Sequence, residues 1–320
     1  MEVSSLRKRN LIIVIGSANM DVVASVECLP RAGETVAGSD FALFPGGKGA
    51  NQACAAARLG GAVTFVAQVG SDAFGAALID SLREAGVDVQ HVGTTSRPTG
   101  CASIYVLPDG ENSIVISPGA NATLDPATAV SRLNALDGAG FVLCQLEIPI
   151  ETVEAAFQAA RMRGATTILD PAPARTLPPS LLRAVDFLTP NQSESATLLG
   201  NPSWSIRDFA DAEEASAGLL ALGPSTVVMK LGALGCLVAN SEGRLRVEGC
   251  TVAAVDTTAA GDAFNGAFAV ALAEGLPVPA AAAFANAAGA ICVTRRGAQA
   301  SLPGRDEIDR FLGLAALATK

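Results

Sequence analysis

Short apolar runs rich in β-formers alternate with longer segments of helical spacing along most of this chain. Leu11–Ile15, Val63–Val69, Phe141–Leu146, Thr166–Leu169, Phe187–Leu188 and Thr226–Lys230 have the length and continuous hydrophobicity of buried strands. Between them, Asn51–Leu59, Phe74–Ala85, Ile150–Arg163 and Ile206–Leu222 carry the pattern of helices. The alternation predicts an α/β fold, a doubly wound and mostly parallel sheet with helices on both faces. Two segments interrupt it. Val22–Phe44 has β-rich pieces and no helix-length run. Thr99–Pro118 predicts a hairpin, with Pro108-Asp109-Gly110 turning between Cys101–Leu107 and Ser113–Ser117. Paired together, about residues 22–44 and 99–118 would form a small β-sheet lid. An edge extension of the main sheet is the plainer alternative. With no repeat and no linker, residues 1–320 are expected to form a single domain. Ala280–Ala290, interrupted by Phe284 and Asn286, predicts a packed helix rather than a low-complexity tract.

Half the residues are hydrophobic but only 4% are aromatic, so the core must be built of Ala, Val, Leu and Ile. The formal net charge of -9 makes nucleic acid and anionic membranes poor partners. An anionic substrate would have to be drawn by local donors and bound cations. The seven cysteines (28, 54, 101, 144, 236, 250 and 292) form no CxxC pair, which suits small buried side chains in a reducing, cytoplasmic setting. One histidine, His91, leaves little material for a Ser-His-Asp triad or a His-rich metal site. Arg7-Lys8-Arg9 precedes an apolar run too short for a signal-peptide core, and no stretch is apolar enough to span a bilayer.

The richest chemistry lies in Val255-Asp256-Thr257-Thr258-Ala259-Ala260-Gly261-Asp262-Ala263-Phe264-Asn265-Gly266. Small residues lead into Asp262, and the Ala-, Phe- and Leu-rich run Ala263–Glu274 predicts a helix that Gly275 and Pro277 stop. Asp262 would open that helix. The N–H groups of Ala259, Ala260 and Gly261 would then form an anion site at its positive end. An aspartate there competes with an anion unless it removes a proton from a hydroxyl that attacks the phosphorus those amides hold. A simple Asp N-cap is the alternative.

Four further clusters accompany it. Phe44-Pro45-Gly46-Gly47-Lys48-Gly49-Ala50-Asn51 is not a P-loop, because the GxxxxGK[ST] spacing fails. It does place Lys48 and Asn51 on one face of a helix's first turn. Gly16-Ser17-Ala18-Asn19-Met20-Asp21 lacks a dinucleotide fingerprint. Asn19 and Asp21 would flank a bend at a strand's C-terminal end and read a polyol, or make an Asx-turn. In Pro190-Asn191-Gln192-Ser193-Glu194, Asn191 can cap a helix and Glu194 can hold the water shell of a Mg²⁺ on nucleotide phosphates. Lys230-Leu231-Gly232-Ala233-Leu234-Gly235 ends a strand with two glycines, by which backbone can approach a nucleotide or simply turn.

In this order, from about Gly16 to Ser301, the segments resemble the ribokinase family of sugar kinases, within the phosphofructokinase-B superfamily. PGGKGANQA and VDTTAAGDAFNGA look like the superfamily's two signatures. ENSIVISPGAN and TRRGAQASLP are more specific to the family. One departure is Ala259-Ala260, where many members carry a glycine. The resemblance implies ATP-dependent phosphorylation of D-ribose at O5, with Mg²⁺ on the nucleotide, K⁺ as a monovalent activator and a homodimer whose lids clasp. It implies Asp262 as general base and Ala259, Ala260 and Gly261 as anion hole. Asn19, Asp21, Gly47, Lys48, Asn51 and Glu147 would contact sugar. Asn191, Lys230, Leu231, Gly232, Ala233, Leu234, Gly235 and Asn286 would contact ATP, with Gly261 and Asp262. Asp256, Thr258, Cys292, Arg295, Gly297 and Ser301 would hold the monovalent cation, several through carbonyls. Rival readings are a kinase for fructose, deoxyribose, ketodeoxygluconate or adenosine, and a catalytically inactive sugar-binding regulator. The low aromatic content disfavours a stacked purine acceptor, and the retained Asp262 disfavours a regulator. The missing fingerprint disfavours a nicotinamide dehydrogenase.

Overall fold

The computed structural model describes residues 10–313; the Arg7-Lys8-Arg9 run lies outside them. The chain opens with β1 (Leu11–Ile15), β2 (Asn19–Val26), β3 (Gly38–Gly46) and α1 (Lys48–Arg58). It continues through β4 (Val63–Gly70), α2 (Ala73–Glu84), β5 (Val92–Thr95), β6 (Gly100–Val106), β7 (Asn112–Ser117) and α3 (Pro126–Asn134). Next come β8 (Ala139–Cys144), α4 (Ile150–Met162), β9 (Thr166–Leu169), α5 (Pro179–Leu182), β10 (Phe187–Leu188), α6 (Gln192–Leu198) and α7 (Phe209–Ala221). The last are β11 (Thr226–Lys230), β12 (Gly235–Asn240), β13 (Gly243–Glu248), α8 (Ala260–Ala273), α9 (Val278–Cys292) and α10 (Arg305–Phe311).

The main sheet has the order β13-β12-β11-β10-β9-β8-β1-β4-β5, parallel from β11 to β5 with an antiparallel edge of β12 and β13. β1 lies between β8 and β4, so strand order reverses beside it. That is where open α/β sheets bind ligands, beyond the strands' C-terminal ends. β1 shows why both faces are covered. Ile12 and Val14 pack with α1, α8 and α9, while Ile13 and Ile15 pack with α3, α4 and α7.

A second, four-stranded sheet, β3-β2-β6-β7, stands apart from the first. β2 pairs antiparallel with β3 and parallel with β6, and β6 pairs antiparallel with β7. The interrupting segments therefore pair with one another and not with the main sheet's edge. Phe41, Leu43, Ile114, Val115 and Ile116 are exposed on it.

Several boundaries differ from expectation for local reasons. The helix expected from Ile206 starts at Phe209, because Asp208 accepts from the amides of Ala210 and Asp211. The strand expected over Phe141–Leu146 is Ala139–Cys144, which frees Gln145 and Glu147 for the loop beyond it. Asn19 and Asp21 do not flank a bend. They sit in β2, where a spacing of two puts them on one face. The helix that Asp262 was expected to open begins at Ala260, two residues before it.

Candidate active site

Polar residues follow the C-terminal end of one parallel strand after another: Ser17 beyond β1, Gln145 and Glu147 beyond β8, Asp170 beyond β9, Asn191 beyond β10 and Lys230 at the end of β11. The order of the sheet draws them into one row. α1 and α8 lie against each other and bring Lys48, Asn51, Gln52 and Asp262 to the same crevice.

Two glycines let α1 start there. Gly47 has φ 89°, and a Cβ on it would lie 2.6 Å from the Asn19 nitrogen. A Cβ on Gly49 would lie 2.6 Å from the Ser17 nitrogen and 2.7 Å from the Gly16 carbonyl carbon. The first turn of α1 thus rests directly on the chain leaving β1.

The expected sugar contacts gather around Glu147. Its Oε2 accepts from the Ser17 hydroxyl at 2.5 Å, the Lys48 amide at 3.0 Å and Asn19 Nδ2 at 3.5 Å. Asn121, absent from the expected contacts, fixes Asn19. Its Nδ2 donates to Asn19 Oδ1 at 2.7 Å, and its own Oδ1 accepts from the Ala18 amide at 2.9 Å. Burial pushes the Asp21 carboxyl up to about 7, helped by the negative charges of Glu147 and Asp262. Burial alone would lower the Lys48 ammonium. Asp262, Asp170, Glu147 and Glu194 outweigh it and hold Lys48 charged.

Asp262 is 5% exposed. It is the third residue of α8, not its N-cap, and its side chain turns away from the helix's own amides. Oδ2 accepts from Asn51 Nδ2 and Oδ1 from Gln52 Nε2, both at 2.9 Å. Burial raises its pKa, Lys48 opposes this, Asp170 adds to it, and the result is about 6. The N-terminus of α8 carries no side-chain cap, whereas α2, α3, α6 and α7 are each capped by an Asp or Asn. Ala259 stands at the cap with φ 60° and ψ 8°. Ala260 donates a long bond of 3.3 Å to the Thr257 carbonyl. The amides of Ala259 and Gly261 have no protein acceptor among the described residues.

Beside this turn lies a cavity of about 750 Å³. Of the residues expected to meet ATP, Asn191, Lys230, Gly232, Ala233, Gly235, Gly261, Asp262 and Asn286 line it, as do Ala259, Ala260 and Glu194. Leu231 is buried, and Leu234 is an exposed neighbour of the same turn. Asn191 caps α6 in a reciprocal box with Glu194. Glu194 Oε2 accepts from the Asn191 amide at 2.7 Å and Oε1 from Asn191 Nδ2 at 2.9 Å. The cap and the cavity lining coexist. Asn286 donates to the carbonyls of Val247 and Glu248 at 3.3 and 3.2 Å.

Asp256 lies on the loop before α8. Its oxygens accept from the amides of Thr258 at 2.9 Å and Gly297 at 2.8 Å. Burial opposes its charge, but these bonds hold the carboxyl below its usual range. Cys292 Sγ lies 3.0 Å from Ser301 Oγ and donates to the Thr258 carbonyl at 3.6 Å. Arg295 turns its guanidinium to Glu307 and not to Asp256. The expected cation residues are therefore neighbours, with the Arg295 side chain directed elsewhere.

Sequence reasoning passed over Gln52, Asp170, Gln145 and Asn121, which are buried and tied to the residues above. The signal was present: Gln145 and Asp170 are polar residues immediately beyond a buried parallel strand, and Gln52 and Asn121 fall inside PGGKGANQA and ENSIVISPGAN.

A family model described as pfkB family carbohydrate kinase matches residues 9–305. The ribokinase of Haemophilus influenzae is 40% identical over 305 residues, which span 95% of this chain and 99% of that protein. The crystal structure of a ribokinase from Thermotoga maritima superposes with a TM-score of 0.86 at 40% identity, covering 95% of this chain and 99% of that one. A ribokinase from Arabidopsis thaliana, complexed with ribose and ATP, gives a TM-score of 0.86 at 33% identity, covering 95% and 98%.

Proposed function

We propose that this chain, which belongs to the pfkB family of carbohydrate kinases, transfers the terminal phosphoryl group of ATP to O5 of D-ribose, giving D-ribose 5-phosphate. The observation that carries this reading is the position of Asp262. A buried carboxylate with a pKa of about 6 sits between the polyol-reading cluster and the uncapped end of α8 beside the cavity.

In this reading Asn19, Asp21, Lys48, Asn51 and Glu147 bind the sugar, with the Gly47 backbone against them. Two of the roughly four lone-pair sites of the Asp262 carboxylate are filled by Asn51 and Gln52, so it can still accept from one sugar hydroxyl. Asp262 takes that proton as the oxygen attacks phosphorus. Amides at the start of α8 stabilise the charge that grows on the phosphoryl oxygens, chiefly those of Ala259 and Gly261. The Lys230–Gly235 turn, Asn191 and Asn286 position the nucleotide.

Among the described residues no three His, Cys, Asp or Glu side chains gather as direct metal ligands. Mg²⁺ would be carried on the nucleotide's phosphates, where it would neutralise charge, with Glu194 reaching its water shell through lone pairs the cap leaves free. The charged Asp256 beside the Thr258 carbonyl, Cys292 and Ser301 supports a K⁺ site, completed by backbone of Arg295 and Gly297. The second sheet would serve as a lid, and its exposed Phe41, Leu43, Ile114 and Ile116 support clasping by a second copy in a homodimer. Among the described residues no helix is long and apolar enough to cross a membrane, and a cytoplasmic location accords with seven unpaired cysteines.

The test is ADP release with ribose, deoxyribose, fructose, ketodeoxygluconate and adenosine as acceptors, run with wild type and Asp262→Asn. The expected result is the highest kcat/KM for ribose and a loss of at least about 10²-fold in kcat for the variant, with ribose binding retained. Preference for another acceptor, or near-normal turnover in Asp262→Asn, would overturn the substrate or the base respectively.

A further inference from the structure

Gln52 is wholly buried, one residue past the expected sugar contact Asn51, and the transfer step described above gives it no role. Its bonding is complete. Gln145 Nε2 donates to Gln52 Oε1 at 2.6 Å, and the two carboxylate oxygens at the other end fix Gln52 Nε2 as the donor. The Nε2 group then has two hydrogens and two carboxylates to meet. One goes to Asp262 Oδ1 at 2.9 Å and the other to Asp170 Oδ2 at 2.8 Å. The far oxygen of Asp170 accepts from Lys230 Nζ at 3.0 Å, in an ion pair whose carboxylate is 2% exposed.

A neutral amide donor is the group this place demands. Asp262 and Asp170 would repel one another across it, and a cation there would pair with Asp262 and remove its basicity. An amide bonds both carboxylates without carrying charge to either. It also anchors the Asp262 carboxylate at Oδ1, as Asn51 does at Oδ2, so that the plane of the carboxylate is held from both sides.

From this geometry we propose that Gln52, locked by Gln145, is a positioning residue for the general base. It holds Asp262 in its reactive orientation and ties it through Asp170 to Lys230 on the wall of the nucleotide cavity. The proposal rests on Asp262 acting as base. Gln52 touches neither sugar nor nucleotide in it, so its loss should act on turnover and not on binding.

The test is Gln52→Met, which keeps length and approximate volume but donates nothing. We expect kcat with ribose to fall about 10- to 10²-fold while KM for ribose and for ATP stay within about threefold, as for an interaction made mainly in the transition state. Losing a hydrogen bond to the charged form raises the pKa of a carboxyl, so the acidic limb of the kcat profile should move to higher pH. The other charged groups facing Asp262 are Lys48, Asp170 and Asp21, with Lys230 beyond Asp170, and all remain in the variant. Gln145→Met, which frees the Gln52 amide to rotate, should give the same pattern with a smaller loss. It decides the question if Gln52→Met does not fold. Wild-type kcat and an unmoved acidic limb in the folded variants would overturn the proposal, whatever their melting temperatures. Near-normal turnover in Asp262→Asn would instead remove the base itself, so the two failures are distinguishable.

Discussion

Ala259 is the only non-glycine residue with positive φ among the described residues, and it stands at the uncapped start of α8. For an L-residue the left-handed region costs roughly 1–2 kcal/mol, from the approach of Cβ to the following carbonyl. Ala259→Gly removes that cost. It also enlarges the unfolded ensemble, which takes back about 0.4–1 kcal/mol. The difference leaves the variant more stable by somewhere between nothing and about 1.6 kcal/mol. At about 2.1 cal/mol/K per residue, the unfolding entropy of 320 residues makes 1 kcal/mol worth roughly 1.5 °C in Tm. The expected rise is thus up to about 2–3 °C by calorimetry.

Ala259→Val supplies the opposite arm. A β-branched side chain is a steric outlier at φ 60°, so this variant should melt below wild type. Turnover separates strain from function. The backbone N–H donates equally from Ala and Gly, so kcat of Ala259→Gly should stay within a few-fold of wild type by ADP release. A Tm for Ala259→Gly clearly below wild type, or a Tm for Ala259→Val equal to it, would refute the strain argument. A fall of more than about tenfold in kcat at unchanged Tm would mean that the stiffness of the loop, and not only its amides, serves the reaction.

Two further outcomes follow from the same geometry. Asp21 has a pKa near 7 in the fold against 3.8 for an aspartate free in water, so between about pH 4 and 7 the native state holds a proton that the unfolded chain releases, and stability falls as pH rises. In urea unfolding without sugar, Asp21→Asn should therefore gain on wild type at pH 8 relative to pH 5, while losing ribose affinity. Identical pH dependence in the two proteins would show Asp21 to be unperturbed. For the cation, kcat/KM should be well above its Na⁺ value in K⁺ at equal ionic strength, and Asp256→Ala should abolish the difference. Equal activity in tetramethylammonium, Na⁺ and K⁺ would leave Asp256 as a tie between the Thr258 and Gly297 amides.

Much of the fold was legible because its signals are local. Buried parallel strands are continuous apolar runs, and Asn191 sits just before the helix it caps; Asp125 and Asp208 carry the same signal, yet the helix from Pro126 was not expected and the one from Phe209 was placed too early. The glycine-rich turn before α1 was legible for the same reason, since Gly47 and Gly49 mark positions where backbone meets backbone. The start of α8 was misplaced because a left-handed cap is ordinarily written with glycine and here is an alanine. With Asp262 taken as the cap, its side chain would have turned back to its own helix. Moving the start to Ala260 turns it outward to Asn51 and Gln52, and that outward turn is what lets it serve as a base.

The polar network was not legible, because its partners lie far apart in sequence. Gln52 and Asp262 are 210 positions apart, Gln52 and Asp170 118, and Gln145 and Gln52 93. A glutamine in an Ala-rich helix carries no local sign that it faces two carboxylates. Topology supplies the missing rule. In a doubly wound sheet the residue just beyond each parallel strand enters the same crevice, whatever its place in the chain. Asn191 stands out on that rule, but it applies equally to β8 and β9, where Gln145 and Asp170 stand. Read at the ends of β1, β8, β9, β10 and β11, to within three residues, it yields Ser17, Gln145, Asp170, Asn191 and Lys230, the row against which α1 sets Gln52. Low aromatic content then takes on a physical meaning. With few π-faces to orient a small ligand, the site must be defined by hydrogen bonds. Each of these depends on a buried polar group already held in place by another.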